Sequence, residues 1–357
     1  MTPLEALLIR RIEQAGPMRV DEYMAECLLH PEHGYYTGRD PLGAAGDFTT
    51  APEISQMFGE LVGLALAQAW LDQGAPTPFT LAELGPGRGT LMADALRATC
   101  RVPGFHAGLR LMLVEASPVL RARQQAALEG FAPRWVERVQ DLPAQPLFLI
   151  ANEFFDALPV RQFLRAGAGW RERLVGLADG RLAFGLGAPV QVAALAGRLA
   201  DTEEGDMVET CGAGGAIVAE IAARIGRHGG AALIIDYGDA PSLGDSLQAV
   251  RAHQKVPPLA APGQVDLTAH VDFAALAAAA EGTRTALTSQ GAFLERLGIA
   301  ARAQALARNL RPGAARDNHL AAHERLVAPD QMGRLFKVLG LTPPGAPFIA
   351  GTRDHDA

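Results

Sequence analysis

The sequence predicts an α/β protein built around a parallel sheet, because strand and helix patterns alternate along most of the chain. Short apolar segments at 79–84, 109–115 and 146–151 have the length and composition of buried strands, and a further strand is predicted around Trp135, which makes 146–151 the fourth. Helical patterns separate them, and one begins at Ser117 and Pro118, where Ser is a favourable N-cap and Pro suits the first turn. Strands separated by helices require crossover connections, so the predicted sheet is parallel.

Two regions are predicted along the chain. Residues 1–75 read as an N-terminal helical segment with a Gly-rich irregular stretch, and residues 76–357 contain the sheet. Thr50 and Glu53 have the spacing of a capping box, which predicts a helix from there to about residue 71. At about 160–210, short strand patterns joined by Gly-containing turns predict a β-rich insertion.

The composition excludes several classes of protein. The 357 residues are 49% hydrophobic and 20% charged, so a large core is expected. A formal net charge of −7 and the lack of a Lys/Arg-rich run argue against a nucleic-acid binder. Cys27, Cys100 and Cys211 are far apart and odd in number, so neither a disulfide framework nor a metal site is predicted.

No membrane attachment or export is predicted. No apolar stretch approaches the ~20 residues of a membrane span. Residues 1–20 fit neither a signal peptide nor a transit peptide. Together with the abundance of Ala, Gly and Arg, these features lead us to expect a bacterial cytoplasmic protein.

A glycine loop at Gly85, Gly87 and Gly89 follows the first strand and opens the next helix. Glycines at such a turn allow conformations that a Cβ would bar, and they let a ligand approach the backbone closely. A P-loop would need Gly-Lys-Ser/Thr, which is absent, and a dinucleotide site would need G-x-G-x-x-G rather than the G-x-G-x-G found here. The spacing therefore argues against both phosphate-binding classes.

Two carboxylates favour S-adenosylmethionine as the ligand of this loop. Glu83, two residues before Gly85, would repel the pyrophosphate of a dinucleotide but attract the ammonium and sulfonium of S-adenosylmethionine. Glu115 ends the second strand, where a carboxylate can accept both ribose hydroxyls. Asp141 is the candidate for the adenine among the acidic residues that follow the third strand.

An acidic and aromatic segment follows the fourth strand, at the sheet edge where ligands bind in such folds. Glu153 and Asp156, three residues apart, can share a face and orient a guanidinium through charge-assisted hydrogen bonds. The alternative is that one of them caps the following turn. Asn152 can hold the amine of the cofactor or satisfy the loop backbone.

The sequence allows more than one role for three further residues. His270 is a candidate general base, although a lone His is more often structural. Asp236 and Tyr237, at the end of a buried strand, can contact substrate or close the sheet.

Seven collinear segments resemble the MidA-like methyltransferases, whose mitochondrial members are complex I assembly factors. The segments are HPEHGYY (30–36), GDFTTAPEISQMFGE (46–60), ELGPGRGT (83–90), NEFFDALP (152–159), IIDYG (234–238), DLTAHVDF (266–273) and MGRLFKV (332–338).

The resemblance implies a class I, Rossmann-like fold with a seven-stranded sheet, the N-terminal helical segment and the β-rich insertion. It also implies symmetric dimethylation of an arginine on a complex I core subunit by the mitochondrial relatives. Asp47, Phe48 and Thr49 would then cover the cofactor. One departure is Ala252, where Gly is expected between Arg251 and His253.

The function predicted from residues and resemblance together is methylation of a protein arginine, with a respiratory complex I subunit as the expected partner. A small-molecule or lipid methyltransferase is the first alternative, and it would need a closed apolar pocket. A cofactor-binding assembly chaperone without transfer activity is the second. An NAD-dependent oxidoreductase is disfavoured by Glu83.

Overall fold

The computed structural model describes residues 1–37, 50–251 and 253–353. The helices are α1 Pro3–Ala15, α2 Val20–Leu29, α3 Ala51–Ile54, α4 Gln56–Asp72, α5 Thr90–Thr99, α6 Phe105–Gly108, α7 Pro118–Ala127, α8 Gly212–His228, α9 Phe273–Ala279, α10 Gln290–Arg296, α11 Ile299–Ala307, α12 Ala314–Val327 and α13 Met332–Leu335. The strands are β1 Met18–Arg19, β2 Phe79–Leu84, β3 Leu109–Val114, β4 Arg134–Val136, β5 Leu147–Asn152, β6 Arg161–Ala166, β7 Gly169–Ala178, β8 Arg181–Val190, β9 Met207–Thr210, β10 Gly230–Asp239, β11 Gln248–Arg251, β12 Gln254–Val256, β13 Asp266–Thr268, β14 Val271–Asp272, β15 Arg284–Ser289 and β16 Phe336–Thr342.

The chain divides into two compact units, each made of three separate segments. The larger consists of Thr49–Phe155, Gly215–Gly238 and Phe273–Ala357, and the smaller of Met1–Phe48, Asp156–Gly214 and Asp239–Asp272. Helices α3 and α4 lie in the larger unit with the main sheet, although the sequence groups them with the N-terminal segment. The assignment of 1–75 and 76–357 as functional regions stays a prediction.

The main sheet of the larger unit has the strand order β15-β16-β10-β5-β2-β3-β4. Strands β4, β3, β2, β5 and β10 are parallel to one another. Strand β16 runs antiparallel to both β10 and β15. The prediction of a parallel sheet is therefore wrong for this edge, because β16 follows the helices α10–α13 and returns beside β10 in the opposite direction.

The two central strands β2 and β5 are buried along their whole length. A strand covered on both faces reads as a mostly apolar segment, which is why the sequence identified both. Phe79 of β2 packs against Phe148 of β5 and against Trp70 of α4, with ring centroids 5.5 and 5.6 Å apart. These aromatic contacts fix α4 on one face of the sheet.

The helix predicted from Thr50 to about residue 71 is interrupted at Ser55. Ser55 has an extended backbone (φ −160°), ends α3, and accepts a hydrogen bond from Met57 N at 3.3 Å to cap α4. The capping box was a wrong prediction, since the Thr50 side chain makes no cap bond in the described structure. The Glu53 carboxylate instead accepts from the Thr90 hydroxyl at 2.7 Å.

The smaller unit contains the predicted β-rich segment. Strands β6, β7 and β8 form antiparallel hairpins at the three expected places, and β9 pairs with β6. A separate sheet has the order β12-β11-β13. Helix α1 belongs to this unit and begins with a capping box between Thr2 and Glu5, while the Thr2 hydroxyl also donates to the carbonyl oxygen of Pro262 at 2.9 Å.

Within the described ranges, every helix is too short or too polar to cross a lipid bilayer.

Candidate active site

The glycine loop connects β2 to α5, as predicted. Gly85, Gly87 and Gly89 have φ values of 57°, 52° and 84°, all in the left-handed region that disfavours residues with a Cβ. At Gly85 a Cβ would also lie only 2.9 Å from the ring of Phe154. The loop thus needs glycine for its own backbone, and no side chain in the described ranges caps the N-terminus of α5.

Two buried acceptors lie at the ends of neighbouring strands beside this loop. Glu83 is 3% exposed, and burial raises the pKa of its carboxyl group to about 8. Among the described residues, its Oε2 atom and the Oδ1 atom of Asn152 have no hydrogen-bond partner. Buried polar atoms without partners are costly in a folded protein. A cationic donor such as an ammonium group would satisfy both, so these residues fit S-adenosylmethionine.

Glu115 follows β3 and is held in place by local donors. Its Oε1 accepts from Ser117 N at 2.8 Å, and its Oε2 accepts from Gln124 Nε2 at 3.1 Å. Burial raises the pKa of Glu115, and these hydrogen bonds oppose that shift. The carboxylate is thereby fixed at the carboxyl end of β3, where the ribose was predicted to bind.

Gln124 is a residue of this site that the sequence did not indicate. It is fully buried on α7, and besides Glu115 its Nε2 donates to the Gly87 carbonyl oxygen at 2.8 Å. Its Oε1 accepts from Trp135 Nε1 at 2.7 Å. The sequence could have indicated Gln124 by its position, because it is a polar residue four positions after Leu120 on the apolar face of α7.

Asp141 lies on a single 3-10 turn, Val139–Asp141, after β4. Its carboxylate is exposed and accepts from the Arg138 guanidinium at 3.3 Å. Arg224 of α8 holds the same turn, donating to the carbonyl oxygens of Gln140 and Leu142 at 2.7 and 2.8 Å. These hydrogen bonds tie the turn that carries Asp141 to α8.

Glu153 has a left-handed backbone, with φ of 50°, which is uncommon for a residue with a Cβ and is enriched at functional sites. Its Oε1 accepts from Ala51 N at 2.9 Å and from Asn152 Nδ2 at 3.1 Å. Its own N–H donates to the Ile235 carbonyl oxygen at 2.9 Å. Glu153 thus anchors the start of α3 to the end of β5. The spacing of residues in the sequence does not reveal this contact.

Asp236 is fully buried and accepts from Phe155 N at 3.0 Å and Tyr237 N at 2.9 Å. Of its two predicted roles, these contacts favour closing the end of the sheet. Tyr237 packs against Phe336, with ring centroids 5.5 Å apart.

Asp156 and His270 belong to the smaller unit. The backbone brings them close, since Ala269 N donates to the Asp156 carbonyl oxygen at 2.9 Å. His270 N donates to Ser246 Oγ at 2.7 Å, and the Ser246 hydroxyl donates to Glu209. The predicted cofactor-covering residues Asp47, Phe48 and Thr49 lie outside the described residues, as does Ala252.

A glycine loop with unpaired buried acceptors beside it, on an α/β sheet, defines the site of an S-adenosylmethionine-dependent methyltransferase. The family described as "Putative S-adenosyl-L-methionine-dependent methyltransferase" matches residues 61–292. The chain belongs to this methyltransferase family, and S-adenosylmethionine is its cofactor.

Relatives of known name cover nearly the whole chain. The proteins named protein arginine methyltransferase NDUFAF7, mitochondrial, from Bos taurus and Homo sapiens are each 37% identical over 96% of this chain and 84% of their own length. A Burkholderia thailandensis protein solved with S-adenosylhomocysteine bound is 31% identical, with a TM-score of 0.83 over 99% of this chain and 96% of that one. The α/β methyltransferase fold is therefore established.

Proposed function

We propose that this enzyme methylates an arginine side chain of a protein. The observation that carries the proposal is the acidic turn 152–156, which follows β5 directly beside the cofactor loop, in a chain 37% identical to proteins named as arginine methyltransferases. A guanidinium stays protonated in proteins, with a pKa above roughly 12. Its methylation therefore requires carboxylates that orient the planar group and draw charge to one nitrogen.

Within the described residues the main sheet has eight strands, and the order of seven of them supports a class I, Rossmann-like sheet. Five parallel strands, β4-β3-β2-β5-β10, are followed at one edge by the antiparallel strand β16 and by β15. In doubly wound sheets the ligand lies at the carboxyl ends of the strands, where the order reverses. Here that point is between β2 and β5, which carry Glu83 and Asn152.

The proposed cofactor contacts follow from this placement. Gly85, Gly87 and Gly89 admit the ligand to the backbone, and Glu83 and Asn152 accept from its ammonium group. Glu115 is proposed to accept from the ribose hydroxyls, and Asp141 is the proposed acceptor for the adenine. The resemblance adds Asp47, Phe48 and Thr49 as the residues that cover the cofactor.

The bound cofactor supplies a methyl group that its sulfonium already activates. The protein contributes alignment and charge placement. Glu153 and Asp156, three residues apart in the chain, are the proposed guanidinium ligands, and the rigid left-handed backbone of Glu153 fixes the first of them. His270 is the proposed acceptor of the proton that the methylated nitrogen loses.

The target protein and compartment are also part of the proposal. The mitochondrial relatives and the resemblance to complex I assembly factors point to a core subunit of the respiratory NADH dehydrogenase. We expect a bacterial enzyme of this kind to act in the cytoplasm, where the peripheral subunits of that complex assemble.

The test is transfer of a labelled methyl group from S-adenosylmethionine into lysate, followed by mass spectrometry of the NADH dehydrogenase peripheral subunits with and without the enzyme. Methylarginine that depends on the enzyme supports the proposal. Label in lipid or small molecules would favour the first alternative. Cofactor binding without transfer into any acceptor would favour an assembly chaperone.

A further inference from the structure

One face of strand β13 in the smaller unit carries polar side chains although it is buried. Leu267 points into the core of that unit and is fully buried. Asp266 and Thr268, on either side of it, therefore point to the opposite face. They are only 7% and 3% exposed. Buried polar side chains require hydrogen-bond partners, so the contacts of this face are informative.

Two acidic groups meet at this face. The Tyr36 hydroxyl donates to Asp266 Oδ1 at 2.9 Å. Burial and the negative charges of Asp266 and Asp156 raise the pKa of Tyr36 above its ordinary value. Asp156 is 7% exposed, and its carbonyl oxygen accepts from Ala269 N, one residue beyond β13.

A second observation is independent of the acidic pair. In the part of the chain that the structure describes, the Thr268 hydroxyl oxygen is buried and makes no hydrogen bond. Thr268 lies two residues from Asp266 on the same face and is paired in register with Gln248 of β11. A buried hydroxyl without a partner lowers stability, so its presence beside two carboxylates indicates that a ligand satisfies it.

We infer that Asp266, Asp156 and Thr268 form the pocket that holds the guanidinium group of the substrate arginine. A guanidinium carries five N–H donors in a plane and no acceptor, which matches two carboxylates and a hydroxyl oxygen. Tyr36 occupies one oxygen of Asp266 and so orients that carboxylate. The inference rests on the proposed function, and it names Asp266, Thr268 and Tyr36 as residues that recognise the substrate.

The sharpest test is Thr268→Val, which removes the hydroxyl and keeps the shape of the side chain. Because the hydroxyl has no partner among the described residues, the melting temperature should stay the same or rise. The KM for the arginine peptide Gly-Gly-Arg-Gly-Gly should increase about tenfold, while the Kd for S-adenosylhomocysteine stays unchanged. Thr268→Ser, which restores the hydroxyl, should recover most of the lost affinity.

Asp266→Asn provides the second variant, since the amide is isosteric and can still accept from Tyr36. It should weaken peptide binding more than Thr268→Val does. Asp179→Asn is the matched control, because Asp179 is exposed in the turn between β7 and β8 of the same unit. It should leave both affinities unchanged.

Two outcomes separate the inference from the proposed function. If the wild type methylates the peptide and both site variants keep its KM, the pocket assignment is overturned and the proposed function stands. If the wild type transfers no methyl group, peptide binding in the presence of S-adenosylhomocysteine is measured by NMR titration. A preference for Gly-Gly-Arg-Gly-Gly over Gly-Gly-Lys-Gly-Gly that Thr268→Val abolishes would support the pocket, and equal binding of the two peptides would overturn it.

Discussion

The Nε2 atom of Gln124 lies 2.8 Å from the carbonyl oxygen of Gly87 and 3.1 Å from Glu115 Oε2, and so connects the glycine loop to the carboxylate after β3. Trp135 donates to the other end of the same amide at 2.7 Å. One buried side chain therefore sets the distance between two parts of the proposed cofactor site.

Gln124→Met should separate these parts while keeping the volume of the side chain. The change leaves the Gly87 carbonyl and the Trp135 N–H without partners, at a cost of about 1–3 kcal/mol for each buried group. We expect a lower melting temperature and roughly tenfold weaker binding of S-adenosylhomocysteine by calorimetry. Gln125→Met, on the exposed side of α7, is the control. Wild-type affinity in Gln124→Met would show that the bridge does not organise the site.

Gly87→Val should abolish cofactor binding and leave the protein folded. A left-handed backbone costs roughly 1–2 kcal/mol for a residue with a Cβ, which a domain of this size tolerates. Gly180→Val carries a similar strain, since Gly180 has φ of 71° in an open turn with no atom near its Cβ position. Calorimetry should show binding by Gly180→Val and none by Gly87→Val. Equal affinities of the two variants would contradict the loop assignment.

Glu153→Gln should separate binding from catalysis. The amide oxygen can still accept from Ala51 N, so α3 and the cofactor site should be retained. Loss of the negative charge should lower kcat by about a hundredfold, the scale of removing one electrostatic contact to a reacting group. Glu129→Gln, exposed after α7, serves as the control in the same methylation assay. Full turnover in Glu153→Gln would remove this residue from the mechanism.

The raised pKa of Glu83 predicts a specific pH dependence. Its carboxyl group titrates at about 8 in the folded protein because of burial, against an ordinary value near 4.5. Between these values the folded state binds more protons than the unfolded chain, so Glu83 lowers the stability of the free protein as pH rises through this window. Glu83→Gln should flatten that part of the stability curve, measured by urea unfolding.

The same carboxyl group predicts proton release on cofactor binding. A cation placed beside Glu83 lowers its pKa, so S-adenosylmethionine should displace a proton at pH 7. Calorimetry in phosphate and in Tris, which differ in ionisation enthalpy, measures the number of protons released for each cofactor bound. We expect it to approach one in the wild type and to vanish in Glu83→Gln. An equal proton count in both proteins would place the ammonium group elsewhere.

The parts that the sequence predicted depend on local pattern. The strands β2 and β5 read as apolar runs because both of their faces are covered, and the left-handed loop was visible as three glycines at alternate positions. The family resemblance supplied the reaction class.

The parts that it missed depend on contacts between distant segments. Glu53 is bound by Thr90, 37 residues away, so the capping box did not form. Glu153 anchors Ala51, 102 residues away, and the buried position of Gln124 becomes meaningful only once Gly87 lies beside it. The reversal of β16 likewise depends on pairing with β10, which no local pattern encodes.

The hydrogen bond from Thr2 to Pro262 has a consequence for biosynthesis. It joins residues 260 positions apart, and the smaller unit needs all three of its chain segments before its core is complete. Contacts of such long sequence separation slow folding, because a large loop must close first. On the ribosome, helix α1 therefore cannot complete its packing until synthesis has passed residue 262, and during that interval its apolar side chains Leu4, Leu8 and Ile12 lack the core that buries them in the folded protein.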